Sequence, residues 1–329
     1  MKRLAWIDTA KGIGIFLVVW GHFYASDTLK IMIYGFHMPL FLFLSGYLYK
    51  VKEIHFLPWL RKKSKQLLLP FFLFQALTLL VVNGLSLVAS GELYESPITL
   101  LTQFFYLDGD VGFNSPLWFL VVLFNVELIF YLFNRFIKKG QWLFMLGMAV
   151  LSLVINTNEG TRIIFGLHIV PLSCLFFYLG FKCKEWDVAN RKLWDRWWFI
   201  ICGLMGYLFI VFHVNNGQII GFRSNNLGMF FIFVVGALIG IFIFCSMCKK
   251  IGKSDLWGRF GRHSLFILGT HYFFLILYAH LIKMMTGELA QLSYPIWATL
   301  CLTIFAFVFY TIFFKGIRKL GMAQYFFIK

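Results

Sequence analysis

The sequence predicts an all-α protein: a polytopic transmembrane helical bundle of about ten spans with both termini in the cytoplasm. Three observations carry that expectation. Of 329 residues, 60% are hydrophobic, 13% are charged and 42 are phenylalanine, more apolar surface than a soluble domain can hide from water. Several near-uncharged runs reach the roughly 20 residues a helix needs to cross a hydrocarbon core of about 30 Å. Within lipid such runs must satisfy their own backbone polar groups, which a helix does. Finally, if the N-terminus is inside, 26 of the 30 Lys and Arg residues fall in inner segments, and only Lys30, Arg162, Arg223 and Lys283 fall outside. That is the positive-inside pattern.

The spans are expected at about 9–27, 31–49, 67–89, 116–134, 142–157, 162–181, 197–213, 227–247, 264–284 and 295–314. Residues 1–329 then form a single transmembrane domain with no soluble domain beside it. The opening MKRLAWIDTAKG runs straight into the first span without a small-residue cleavage site, so no cleavable signal is expected. The net charge of +16 is a topology signal rather than a nucleic-acid footprint. Six cysteines sit in spans or at inner edges, which implies no disulfide framework. Cys245 and Cys248 make a lone CxxC with no chemistry assigned to it.

In the first span, Asp8 and Lys11 lie near the inner face and His22 near the outer one. Eleven residues turn the helix by about 1100°, so Lys11 and His22 share a face about 16 Å apart along the axis. The second span returns through FHMPLFLFLSGY, with His37 at a level similar to His22 across a tight hairpin. Pro39 should kink the helix beside His37, and Ser45-Gly46 allows another helix to approach closely. Segment 50–66, KVKEIHFLPWLRKKSKQ, is expected as an inner loop carrying Arg61, Lys62, Lys63 and Lys65. It serves either as a stop-transfer anchor or as a landing site for a polyanion. Segment 90–115 is expected to be re-entrant or interfacial. In the fourth span Glu127 has no basic residue within a turn, so it needs a partner from another helix or a proton. The ninth span offers His271 near mid-membrane, with Ser264 on the same face and His280 on the opposite one.

Ionisable groups inside a membrane are costly, so His22, His37, His271 and Glu127 are read as a functional set. No His or acidic pair at i, i+3 or i+4 and no HExxH occurs within a span, so no metal is expected. There is also no G-x-S-x-G elbow. General-base chemistry remains, in which an imidazole takes a proton from a hydroxyl as it attacks an activated acyl group.

The strings DTAKGIGIFLVVWGH (8–22), FHMPLFLFLSGY (36–47), RKKSKQLLLPF (61–71), SPLWFLVVLFNVE (115–127) and GRHSLFILGTH (261–271) occur in the order found in the acyltransferase-3 family of membrane acyltransferases. Within that family the chain resembles the fucose-4-O-acetylase-like branch, over about residues 3–135 and 258–275. The resemblance implies transfer of an acetyl group from cytosolic acetyl-CoA, as donor co-substrate, to a hydroxyl of a cell-surface or lipid-linked glycan. It implies His22 as catalytic base within a basic-x10-His spacing. Lys11 stands where relatives commonly have Arg, keeping the charge but losing the bidentate fork.

On this view Arg61, Lys62, Lys65 and Arg262 hold the donor's phosphates, and His37 or His271 orients His22 or stabilises the oxyanion. An acyl-imidazole intermediate is a variant of the same scheme. Asp8, Lys11 and Glu127 complete the catalytic polar set, and Ser45, Asn114 and Trp118 are assigned to acceptor binding. Many relatives carry an extracytoplasmic hydrolase-like domain. With the chain stopping at Lys329, the bundle is expected to finish transfer alone or with a partner. Membrane lipid and the glycan are the expected partners, a homodimer stays open, and nucleic acid and metal are not expected. The location implied is the plasma or inner membrane. Two rival readings are a proton-coupled secondary transporter working through His22, His37, Glu127 and His271, and a lipid-binding or assembly scaffold.

Overall fold

The structure, a computed structural model, describes residues 4–51, 55–137, 140–157, 162–186 and 196–320. Parts of the basic segments counted above, including Lys2, Arg3, Lys52, Lys138, Lys139 and the last nine residues, lie outside the described residues, as does Glu159. The described chain is built from helices: α1 Ala5–His22, α2 Asp27–Tyr34, α3 His37–Leu48, α4 Phe56–Lys63, α5 Leu69–Ser90, α6 Pro97–Phe105, α7 Trp118–Phe136 and α8 Gln141–Asn156. After them come α9 Val170–Glu185, α10 Trp197–Phe209, α11 Phe230–Ile251, α12 Asp255–Arg262, α13 Ser264–Thr270, α14 Tyr272–Thr286 and α15 Ile296–Lys319.

Among the described residues seven helical runs are long and apolar enough to cross a membrane: Asp27–Leu48, Phe56–Ser90, Ser115–Phe136, Ile164–Glu185, Trp197–Val214, Phe230–Ile251 and Ile296–Lys319. The bent pair α13–α14 would make an eighth. The expected count of ten is therefore not reached by length and composition. α8 has only 16 residues. α1 has 18, but Asp8, Lys11 and His22 dilute its apolar character. The protein is a multi-pass helical membrane protein.

Contacts divide the chain into two compact units: Met1–Leu44 with Cys183–Gly221 and Leu227–Lys329, and Ser45–Lys182 with Phe222–Asn226. In the first unit α1 touches α2, α11, α12, α13 and α15, most extensively α12. Glycines set that contact. A Cβ on Gly12 would run into the carbonyl of Trp257, and a Cβ on Gly261 into the carbonyl of Asp8, so the two backbones meet directly, as small-residue crossings allow in membranes. Rings fill the space beside them, with Phe16 5.5 Å from Trp257 and 5.0 Å from Phe307, and Phe260 4.8 Å from Phe307. α12 itself is capped by Ser254, whose Oγ accepts the Trp257 N–H at 3.2 Å. The second-span expectation holds in its local form: α2 stops at Tyr34 and α3 restarts at His37. Pro39 therefore sits in the first turn of α3, where its missing N–H costs nothing.

The second unit repeats the device. Gly46 faces the backbone of Phe177 so closely that a Cβ there would overlap its carbonyl. Tyr49, Phe130, Phe177 and Phe181 then form a ring cluster with centroid separations of 4.9 to 6.2 Å.

One expectation is overturned here. Most of segment 50–66 is not a loop: Phe56–Lys63 is helical and a π-turn, Ser64–Leu68, joins it to α5. Phe56, Trp59 and Leu60 supply an apolar stripe at helical spacing, and Trp59 is buried and stacked on Tyr131 at 4.6 Å. The resulting 35-residue run is about 52 Å long at 1.5 Å per residue, well beyond a core of about 30 Å.

The expected span at 162–181 is found at Ile164–Glu185, but its first stretch is not α-helical. Ile164–Ile169 is irregular, with Phe165 and Gly166 at φ of 56° and 66°. His168 pins this stretch, its Nδ1 accepting the Ile163 N–H at 3.2 Å and its Nε2 donating to the Arg223 carbonyl at 2.8 Å.

Gly12→Ala and Gly261→Ala should each lower stability by about 1–3 kcal/mol through overpacking. Gly316→Ala, whose added Cβ meets nothing within 4 Å, should be neutral or gain up to about 1 kcal/mol. Thermal unfolding in detergent with matched lipid would separate the two classes.

Candidate active site

Three histidines of the first unit stand where a helix ends or breaks. His22 is the last residue of α1, His37 the first of α3, and His271 lies at the 43° bend between α13 and α14. Each turns its Nδ1 back onto the carbonyl four residues earlier: His22 on Val18 at 2.7 Å, His37 on Ile33 at 3.1 Å and His271 on Ile267 at 3.0 Å. A carbonyl only accepts, so Nδ1 carries the proton in the neutral ring. All three imidazoles then present Nε2 as a bare lone pair. His37 and His271 are 5% and 0% exposed and His22 is half-buried. The Nε2 of His271 is buried with no hydrogen-bond partner.

The rings form one cluster. His22 lies 5.3 Å from His271, centroid to centroid, and 5.4 Å from Tyr272. Tyr34 is 5.9 Å from His22 and 4.9 Å from His37, and its hydroxyl donates to the Gly21 carbonyl at 2.8 Å. Tyr34, on the same arm as His37, is thus a ring neighbour of both His37 and, across the hairpin, His22, and His271, from a helix remote in sequence, is a direct ring neighbour of His22. Tyr34 and Tyr272 were missed by sequence reasoning. The signal was present, since Tyr34 precedes His37 by three residues and Tyr272 adjoins His271.

The other expected site residues fall into separate settings. Asp8 and Lys11 are half-buried on α1, and Arg262 is half-buried at the end of α12. In the second unit Arg61, Lys62 and Lys65 are exposed on α4 and the π-turn, while Glu127 is buried and ion-paired with Lys63. The carboxylate of the fourth span is therefore answered by a lysine from the basic run.

Ser45 is half-buried beside the Gly46 contact. Asn114 is fully buried and donates to Thr78 Oγ1 at 3.0 Å, and Trp118 is buried with its ring stacked on Phe222, centroids 6.0 Å apart. The loop before Asn114 is organised by Asp110, which accepts from Arg223 at 2.6 Å and Arg162 at 3.2 Å. Burial opposes charge on Asp110, but Arg223 and the N–H groups of Gly112 and Val111 outweigh it and hold the carboxyl below its ordinary range. Among the described residues no group of three His, Cys, Asp or Glu side chains could hold a metal ion.

A multi-pass helical membrane protein with clustered imidazoles, each holding a free Nε2, has the equipment for proton abstraction within its helical bundle. Comparison with protein families gives the class its name: the acyltransferase domain of the acyltransferase-3 type matches residues 4–319. The chain belongs to the acyltransferase-3 family and is an acyl-transferring membrane enzyme. No curated protein and no solved structure matched it.

Two measurements follow from these contacts. In protein labelled with 15N-histidine, His22, His37 and His271 should show a protonated Nδ1 and an unprotonated Nε2, and His168 the reverse tautomer. Lys63→Met alone should cost about 3 kcal/mol by stranding the Glu127 carboxylate, whereas Lys63→Met with Glu127→Gln should recover most of that loss. Denaturation of the two single variants and the double variant gives the coupling.

Proposed function

We propose that this enzyme moves an acetyl group from acetyl-CoA to a hydroxyl of a cell-surface or lipid-linked glycan, as in the fucose-4-O-acetylase-like branch. His22 is its general base. The observation that carries the reading is the cluster itself. His22 combines a free Nε2, partial exposure and two neighbours, His271 and Tyr272, that frame its ring.

In the proposed step Nε2 of His22 takes the proton of the acceptor hydroxyl while that oxygen attacks the thioester carbonyl. The tetrahedral species collapses as the C–S bond breaks, and the leaving thiolate takes the proton back from Nε2. The tautomer supports an orienting role for His271 over an oxyanion role, because its neutral ring offers a lone pair at Nε2 and oxyanions need donors. His37 braces Tyr34, which in turn holds the end of α1 at Gly21.

The exposed cations Arg61, Lys62 and Lys65 of the second unit suit the phosphates of coenzyme A, and Arg262 of the first unit is a separate candidate for them. Ser45, Asn114 and Trp118 remain the candidates for the acceptor. The positive-inside pattern supports cytoplasmic termini, and a cell-surface acceptor suits an enzyme of the plasma or inner membrane.

Release of free coenzyme A thiol from acetyl-CoA by the purified protein tests this directly. Wild type should release thiol, and His22→Ala, at matched folding, should lose at least about a hundredfold in rate. Release that persists in His22→Ala would move the base to His271. Absence of both release and acetyl-CoA binding in wild type would favour a carrier.

A further inference from the structure

Among the described residues two buried imidazoles lie outside the catalytic cluster, His168 and His263, and both nitrogens of His168 are hydrogen-bonded. His263 joins α12 to α13, is 1% exposed and packs on the ring of Phe314 at 4.4 Å. Arg318, near the end of α15, brings Nη2 to 3.4 Å from its Nε2. A guanidinium only donates, so Nε2 is the acceptor and the neutral ring must carry its proton on Nδ1. That Nδ1–H is buried and meets no acceptor. A buried donor without a partner is uncommon and asks for an explanation.

The surroundings say what kind of acceptor is missing. Arg262 directly precedes His263, and Arg259 lies one turn back, its carbonyl accepting the His263 N–H at 3.2 Å; burial first, then Arg318, Arg262 and Arg259, hold the pKa of His263 down to about 4. Arg259 and Arg262 are half-buried on α12, and Arg318 is exposed. Two carboxylates lie in the neighbourhood: Asp255 is 3.8 Å from Lys253, and the Cβ of Asp8 faces Gly258. Neither satisfies Nδ1. A fixed neutral donor with two arginines within one turn of it on the same helix suits a phosphate, since a phosphate has several acceptor oxygens and guanidinium groups bind them in pairs.

We infer that His263 Nδ1–H, its tautomer set by Arg318 at Nε2, forms with Arg259 and Arg262 a subsite for a phosphate monoester. Two sources share this chemistry: the 3′-phosphate of coenzyme A, and the headgroup of a phosphatidic-acid-like lipid. The first rests on the acyl-donor reading given above, and the second does not.

The test uses the full-length protein in detergent, with coenzyme A, 3′-dephospho-coenzyme A and phosphatidic-acid vesicles as probes. Binding is followed by calorimetry and by the 15N signals of His263. Arg318→Gln and Arg259→Gln are the variants, Arg318 being exposed and so the safer one for folding. Coenzyme A should shift the His263 Nδ1 signal, and each variant should weaken its binding about tenfold. Binding of the dephospho compound should be unaffected by either variant.

Coenzyme A binding that ignores both variants and leaves His263 unmoved would overturn the subsite while leaving the donor reading intact. No coenzyme A binding, but a His263 shift with phosphatidic-acid vesicles that Arg318→Gln abolishes, would keep the phosphate site and assign it to lipid. No response to any probe would overturn it outright.

Discussion

The candidate site depends on one hydrogen bond made three times: an imidazole Nδ1–H given to the carbonyl one helical turn back. At His22, His37 and His271 this bond does two things at once. It ties the ring to the backbone beside the place where the helix ends or breaks, and it dictates which ring nitrogen is left bare. The bond adds to the ladder rather than replacing a rung of it: the Ile267 carbonyl accepts the backbone N–H of His271 at 3.0 Å as well as its Nδ1–H, using both lone pairs. The chain bends by 43° at this same residue.

Rigidity around these ends comes from backbone contact. The Gly12–Trp257 and Gly261–Asp8 contacts hold α1 against α12, and the Tyr34 hydroxyl ties the end of α1 to α2. Without water to drive apolar surfaces together, close packing of small residues and buried polar links carry association in lipid. Glu127 and Lys63 serve the second unit in that way, a buried pair whose geometry matters more than its net attraction.

Much of this was legible in sequence because it is periodic or local. Apolar run lengths marked most of the spans, Pro39 marked the break before His37, and Gly46 marked a helix crossing. What escaped depends on partners far apart in the chain. Nothing near His22 announces His271, 249 residues away, as its ring neighbour. Arg162 and Arg223, exceptions to the charge rule, are explained only once Asp110 is seen between them. α4 was hidden because its Lys and Arg residues outweigh a short apolar stripe in any hydropathy average, and Trp59 becomes a packing residue only when Tyr131 stacks on it. Tyr34 and Tyr272 looked like ordinary span aromatics until the imidazoles converged on them.

The glycine contact in α1 also works as a ruler. Gly12 can meet the Trp257 backbone at one rotation of α1 only, and His22 follows ten residues later on the same rigid rod. One residue inserted between them would swing the imidazole by about 100° and displace it by about 1.5 Å. Helical phase, more than the chemistry of the intervening Ile, Phe, Leu and Val side chains, is therefore the quantity this stretch of sequence encodes.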